Sequence, residues 1–161
     1  MPIQRLKEFL DNHNIKYVTI IHSRAFLAQE IASLAHVKRE EFAKTVIVRI
    51  DGKLVMAVLP ASYHVDLSLL KAASNGKKIG LASETDFRDK FPGCEVGAMP
   101  PFGPLYDMPV FVDESLTKER KIAFNAGTHH ELIRLSYDDF ERLVQPKVAR
   151  FATTAEEALR L

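Results

Sequence analysis

The loop at residues 97–104 reads Gly-Ala-Met-Pro-Pro-Phe-Gly-Pro and combines two glycines with three prolines. Proline fixes φ and lacks an N–H, and the residue before a proline is pushed toward extended conformations. We therefore expect one rigid backbone shape, with the amides of Ala98, Met99, Phe102 and Gly103 as the remaining donors. Such fixed amides can hold a carboxylate, a phosphate or the oxyanion of a tetrahedral intermediate without reorganising. The alternative interpretation is a proline-rich turn between strands.

Lys44 is a second candidate, because it stands just before the most hydrophobic stretch of the chain. An ammonium group that faces a pocket could hold a phosphate or polarise a carbonyl. The alternative is a lysine whose side chain simply extends to water at the entrance of a strand.

The third candidate is the small-residue turn Asn125-Ala126-Gly127-Thr128-His129. Its side-chain donors and acceptors would suit a hydroxyl-bearing ligand such as ribose. A plain turn between two apolar strands would also explain its composition.

Other kinds of catalytic site find little support in the sequence. The histidines lack the spacing of a zinc motif, so we expect no metal and no cofactor. A serine hydrolase is disfavoured by the absence of a Gly-x-Ser-x-Gly motif. The single cysteine, Cys94, excludes an internal disulfide and has no base beside it in sequence, so we expect a structural thiol.

Composition predicts one globular domain over residues 1–161, with 47% hydrophobic and 27% charged residues. No apolar run is long enough to span a bilayer, and the first residues favour an amphipathic helix over a signal peptide, so we expect a cytoplasmic protein without membrane contact. The net charge of +1 disfavours DNA and extensive duplex binding, but it leaves room for a protein that grips only the end of a nucleic acid.

Hydrophobic periodicity predicts helices alternating irregularly with strands. The most definite element is a β-hairpin of strands 45–50 and 53–59 around an Asp51-Gly52 turn. Helices are expected at residues 3–10, 28–35, 66–73, 84–91 and 137–144, and further strands at 17–22, 78–82, 110–112, 121–125 and 131–135. Because hairpins mix with helices without regular βαβ alternation, we predict an α+β fold whose mixed, mostly antiparallel sheet curls toward a barrel, with helices around it.

Five motifs occur in the order in which they stand in the YbaK/ProX family, the freestanding relatives of the editing domain inserted in bacterial prolyl-tRNA synthetases. The chain resembles that family over nearly its whole length. The matching stretches are residues 22–30 (HSRAFLAQE), 43–46 (AKTV), 58–60 (VLP), 97–103 (GAMPPFG) and 124–129 (FNAGTH).

This resemblance implies an enzyme that deacylates mischarged aminoacyl-tRNA, and an α+β fold with a barrel-like sheet. It also implies which residues form the site. The catalytic set is Lys44, Gly97, Ala98 and Met99. The substrate-binding set is His22, Thr45, Pro100, Pro101, Phe102, Gly103, Asn125, Gly127, Thr128 and His129.

An aminoacyl ester is already activated, so water can hydrolyse it once the ester is positioned and the oxyanion stabilised. We expect the loop amides to bind the oxyanion or the carbonyl, Lys44 to hold the terminal phosphate or the carbonyl, and His129 to contact the terminal adenosine. The expected partner is mischarged tRNA, held by its acceptor end, and an aminoacyl-tRNA synthetase is a second candidate partner. Two other functions stay open: a non-catalytic module that binds aminoacyl-tRNA or docks on a synthetase, and a hydrolase of small esters.

Overall fold

One mixed β-sheet organises the chain in the computed structural model, which describes residues 2–21 and 38–154. Within these ranges the strands are β1 Tyr17–Ile21, β2 Phe42–Ile50, β3 Lys53–Pro60, β4 His64–Val65, β5 Ile79–Leu81, β6 Val110–Asp113, β7 Lys121–Asn125, β8 Glu131–Ser136, β9 Lys147–Ala149 and β10 Ala152–Thr153. The α-helices are α1 Pro2–Asn12, α2 Leu67–Ser74, α3 Glu84–Phe87 and α4 Tyr137–Val144. The helix predicted at 28–35 lies outside the described residues.

The main sheet has the order β1-β8-β7-β2-β3-β6-β9, and β5 pairs with β2 beside this path. The β2–β7, β3–β6 and β6–β9 ladders are parallel, whereas the hairpin ladder and the remaining ladders of this sheet are antiparallel. The sheet is curled but not closed, because β1 and β9 stand at its two ends. The predicted mixed α+β fold is confirmed.

The two faces of the sheet carry different elements. On the first face, Ala43, Ile47, Met56 and Val58 pack in one core with α1, α4 and the segment around Phe102. On the second face, Val48, Val55, Ala57 and Leu59 pack in another core with Leu70 of α2 and Phe151. This division follows from the two-residue period of strands β2 and β3, which sends alternate side chains to opposite faces.

Local signals explain where several elements begin and end. The Asp66 carboxylate accepts the Leu69 amide at the start of α2, and the Ser136 hydroxyl accepts the Asp139 amide at the start of α4. The helix predicted at 84–91 is shorter than expected, because α3 ends at Phe87 and a 3₁₀ turn, Arg88–Lys90, follows before Pro92. Strand β2 begins three residues earlier than predicted, at Phe42.

Strands β4, β9 and β10 had no predicted counterpart, since they are too short to show a period. A buried carboxylate holds the last of them in place. Asp113, at the end of β6, accepts the amides of Phe151 and Ala152, each at 2.9 Å. Among the described residues, no helix is long and apolar enough to cross a membrane.

Candidate active site

Two of the predicted segments are joined directly, through their backbones. The Glu95 amide donates to the Gly127 carbonyl at 2.8 Å, and the Gly127 amide donates to the Ala98 carbonyl at 2.9 Å. The start of the proline loop and the turn after β7 therefore form one rigid unit. Gly97 lies at its exposed surface with φ +84°, a conformation that glycine adopts without strain.

His129 is fixed against this unit by a hydrogen bond from its ring. Its Nε2 lies 2.9 Å from the Val96 carbonyl oxygen. Because a carbonyl can only accept, Nε2 must carry the proton, and in the neutral ring Nδ1 is left as an acceptor. The amide of His129 donates to the Glu95 carboxylate at 3.4 Å. The Val96 carbonyl thus orients the ring and Glu95 holds the backbone of His129, which leaves one ring nitrogen able to receive a ligand hydroxyl.

Lys44 lies on β2 where the sheet splits. Parallel pairing with β7 covers Phe42 and Ala43 only, and antiparallel pairing with β5 begins on the same edge at Val48. In the described part of the chain, no strand pairs with residues 44–46 on this edge. Extending the β7 register by one residue sets Lys44 beside Asn125, with both side chains on the second face.

The electrostatic state of Lys44 fits a ligand-binding ammonium group. Its side chain is partly buried, and desolvation lowers its pKa from the ordinary 10.5. Among the described residues, no carboxylate lies within ion-pairing distance of Lys44. A partly desolvated cation without a partner attracts an incoming phosphate or carbonyl oxygen more strongly than a solvated one does.

Thr45 is the next residue on β2, and its side chain points to the first face, away from Lys44. It is buried, and its hydroxyl has no hydrogen-bond partner in the described part of the chain. Its backbone faces the split edge, because the Ile47 carbonyl two residues on accepts the Ala82 amide from that side. The Thr45 backbone therefore lies at the unpaired edge of β2, whereas its side chain lies on the face opposite to the Lys44 side chain.

The proline loop itself turns into the core of the first face. All of residues 98–103 are buried, and Phe102 packs against Phe9, Phe124 and Phe140 with ring centroids 5.4 to 6.1 Å apart. A side chain at Gly103 would collide with the Met108 carbonyl. These contacts give Phe102 and Gly103 a packing role, and the buried Pro100 and Pro101 lie in the same stretch.

One expected donor of this loop is already occupied, so the prediction that the Ala98 amide is free for a ligand is wrong. The Ala98 amide donates to the Glu95 carbonyl at 3.0 Å, because the chain makes a tight turn there. The amides of Gly97 and Met99 have no hydrogen-bond partner among the described residues. Met99 is one of the predicted donors and the Gly97 amide is an additional one, and both are left for a ligand at this end of the loop.

Of the remaining predicted residues, three lie in or beside the turn that follows β7, and one lies outside the described residues. The Thr128 hydroxyl accepts the His130 amide at 3.2 Å and so shapes the turn. Gly127 is buried with φ +101°, and Asn125 is partly exposed at the end of β7. His22 lies outside the described residues.

Two supporting residues could not be found by sequence reasoning. Glu95 orients His129 from 34 positions away along the chain. Glu41, buried just before β2, accepts both from Nε and from a terminal nitrogen of Arg134 on β8, at 3.1 and 3.3 Å. This ion pair fixes the start of β2 across β7, and only the folded topology brings its members together.

No group of three or more His, Cys, Asp or Glu side chains in the described ranges is arranged to hold a metal ion. The site as described consists of an ammonium group, free backbone amides, an oriented imidazole and an amide side chain. This set can bind an anionic or carbonyl oxygen and a hydroxyl, and it lacks a nucleophile paired with a base.

Comparison with known proteins places the chain in a family. Residues 22–143 match the family model described as "Aminoacyl-tRNA editing domain". The Multifunctional Ser/Thr-tRNA deacylase ProXp-y of Escherichia coli K12 is 29% identical over 158 residues, which cover 94% of this chain and 93% of that protein. The prolyl-tRNA editing protein ProX of Acetoanaerobium sticklandii is 27% identical over 84% of this chain and 86% of its own length.

A solved structure agrees with the fold. The crystal structure of a proposed trans-editing enzyme for prolyl tRNA synthetase superposes with a TM-score of 0.79, at 19% identity, over 94% of this chain and 97% of that one. The resemblance to the YbaK/ProX family is confirmed, and the chain belongs to the aminoacyl-tRNA editing domain family.

Proposed function

We propose that this protein deacylates mischarged aminoacyl-tRNA in trans, by water-mediated hydrolysis of the ester that joins the amino acid to the terminal ribose. The observation that carries the proposal is Lys44, a partly desolvated ammonium group without a carboxylate partner in the described residues, set at the split of the sheet in a chain of the editing family.

The proposed chemistry needs no protein nucleophile. A water oxygen attacks the ester carbonyl, and the carbonyl oxygen becomes an oxyanion. The intermediate then collapses, the ribose oxygen leaves with a proton that the water supplied, and the free amino acid is released. Each bond that breaks is thus balanced by one that forms, without an oxidant or a cofactor.

The chain's own groups would act on charge and position. Lys44 would stabilise the oxyanion or the terminal phosphate, and the free amides of Gly97 and Met99 would supply fixed donors. His129 Nδ1 would accept a ribose hydroxyl, and Asn125, beside Lys44, would contact the substrate on the same face. A substrate hydroxyl could assist the water, because the described residues offer no base beside Lys44.

We also propose that residues 1–161 act as one editing domain in the cytoplasm and hold the tRNA by its acceptor end. The first substrates to test are seryl and threonyl esters, since the E. coli relative is named as a Ser/Thr-tRNA deacylase. Alanyl and cysteinyl esters complete the panel, each on tRNA for proline and for alanine. Association with a synthetase is a separate prediction, tested by co-purification.

The deciding experiment is single-turnover deacylation across this panel, with the Lys44→Ala variant as the control. Turnover of at least one mischarged tRNA above the spontaneous rate, lost in the variant, supports the proposal. Saturable binding of aminoacyl-tRNA without turnover would contradict it and favour the binding module. Free amino-acid esters hydrolysed as fast as tRNA-linked ones would favour a small-ester hydrolase.

A further inference from the structure

Three exposed lysines stand together beside the tip of the β2–β3 hairpin, at the far end of the second face from the sheet split. They are Lys71, Lys77 and Lys78, and we call them the lysine platform. Lys71 lies on α2, and the other two precede β5. In the described part of the chain, none of the three has a carboxylate within ion-pairing distance.

Hydrogen bonds to the backbone, rather than to the lysine side chains, hold the segment that carries Lys77 and Lys78. The Asp51 carboxylate accepts the amide of Lys77 at 3.0 Å and that of Lys78 at 2.8 Å. The Asp51 amide in turn donates to the Lys78 carbonyl at 2.9 Å. These amides, and then the nearby lysine charges, lower the pKa of Asp51. The carboxylate beside these three lysines is therefore engaged by backbone amides, and the ammonium groups have no ion-pair partner among the described residues.

The platform and Lys44 belong to the same side of the molecule. Leu70 and Leu69 pack α2 against the second face, and Ile79 at the start of β5 packs in the same core. The first face exposes charges of both signs, with Asp138, Glu141 and Arg142 on α4. A polyanion would therefore be attracted to the lysine platform on the second face.

The distance between Lys44 and the lysine platform determines how long a ligand must be to contact both. Asp51 lies seven residue positions beyond Lys44 along β2 and its turn, a distance of roughly 23 Å at about 3.3 Å per residue. An aminoacyl-adenosine bound at Lys44 is too small to reach the platform. A ligand that contacts both must continue well beyond its terminal nucleotide, as an RNA acceptor end continues into its stem.

We propose that the lysine platform binds backbone phosphates of the acceptor stem while the esterified terminal nucleotide lies at Lys44. This inference rests on the proposed function. It gives the near-neutral chain a local basic surface with a few phosphate contacts, in place of a broad basic face. Phosphate contacts of this kind position the substrate and carry no sequence information.

The test compares two variants of equal charge. The platform variant carries Lys71→Gln, Lys77→Gln and Lys78→Gln, which keep the amides that bind Asp51. The control variant carries Lys16→Gln, Lys90→Gln and Lys118→Gln, at exposed lysines away from the platform. Thermal unfolding checks that both variants stay folded. Binding of an amide-linked, non-hydrolysable aminoacyl-tRNA is then titrated from low to high salt, beside single-turnover deacylation of full-length tRNA and of an aminoacylated tetranucleotide without a stem.

We expect the platform variant to bind the tRNA analogue about tenfold more weakly at low salt, with a salt slope smaller by about two to three, since each phosphate contact contributes close to one. The control variant should match the wild type, and the tetranucleotide should be hydrolysed equally by all three proteins. Equal tRNA binding by the platform and control variants would overturn the proposal, and so would an equal loss with the tetranucleotide. Failure of the wild-type protein to hydrolyse any ester would instead refute the proposed function, because the salt titration of binding tests the platform independently.

Discussion

Lys44 and the proline loop stood out in the sequence for the same reason, as groups able to stabilise charge, but the fold uses them differently. Lys44 lies on the second face at a split in the sheet, partly desolvated. Residues 98–103 turn into the first-face core, where Phe102 joins three other aromatic rings. The loop is exposed at its two ends, Gly97 and Pro104, and Gly97 lies next to the turn that follows β7. A conspicuous motif can therefore be part site and part scaffold.

The largest effect is expected on removing the aromatic ring of the loop. Phe102→Ala should lower the free energy of unfolding by about 3–5 kcal/mol, because it leaves a cavity among buried rings. Chemical denaturation measures this loss. A loss below about 1 kcal/mol together with a large fall in deacylation rate would return Phe102 to the substrate pocket.

Lys44→Ala should show the opposite pattern. We expect deacylation to fall at least about tenfold, or ~1.4 kcal/mol of transition-state stabilisation, because the charge at the sheet split is lost. Stability should change little, since the side chain is only partly buried and unpaired in the described structure. Single-turnover kinetics and denaturation are measured on the same preparation. An unchanged rate in the folded variant would remove Lys44 from the mechanism.

Replacing both loop prolines tests whether the loop shape acts on the reaction. Pro100→Gly with Pro101→Gly should reduce stability by about 1 kcal/mol per site through the freedom of the unfolded chain, and further because two buried rings are lost. If the free amides of Gly97 and Met99 hold developing charge, the rate should fall several-fold more than binding of an aminoacyl-adenosine mimic weakens. Equal losses in rate and binding would mean that the loop only shapes the pocket.

The fold was largely predictable, since its main signals are local. The hairpin around Asp51 and Gly52, the strands after the loop and the capped helix α4 follow from periodicity, turn residues and caps. The split of the sheet at Lys44 was not predictable, because it depends on where two distant strands, β7 and β5, meet β2. The same holds for Glu95 and the Glu41–Arg134 pair, whose partners are far apart in the chain. Burial of the loop was missed because its prolines and glycines read equally well as a surface turn.

The pH dependence of the rate offers a smaller effect that is specific to Lys44. Desolvation lowers the pKa of this amine, so the rate above spontaneous hydrolysis should decline with rising pH around a midpoint below the ordinary 10.5. Lys44→Arg, which keeps its charge, should lack this decline. Between the folded and unfolded pKa values the unfolded chain binds more protons, so this amine should make stability rise with pH in that window. A decline of the same midpoint in Lys44→Arg would assign it to another group.

The smallest effect is expected at Cys94, three residues before Gly97 and the only cysteine of the chain. Its side chain is half-buried against the first-face core, and its Sγ lies 3.9 Å from the Tyr106 hydroxyl. Burial raises the pKa of this thiol, so it stays protonated at neutral pH and is a poor nucleophile. Cys94→Ser should therefore leave the deacylation rate within about twofold of the wild type, because the substitution changes a residue that packs against the first-face core. Single-turnover assays of both proteins, with and without a thiol-alkylating reagent, measure this. A rate lost in the folded serine variant and on alkylation would move Cys94 into the site and replace direct attack by water with a thioester route.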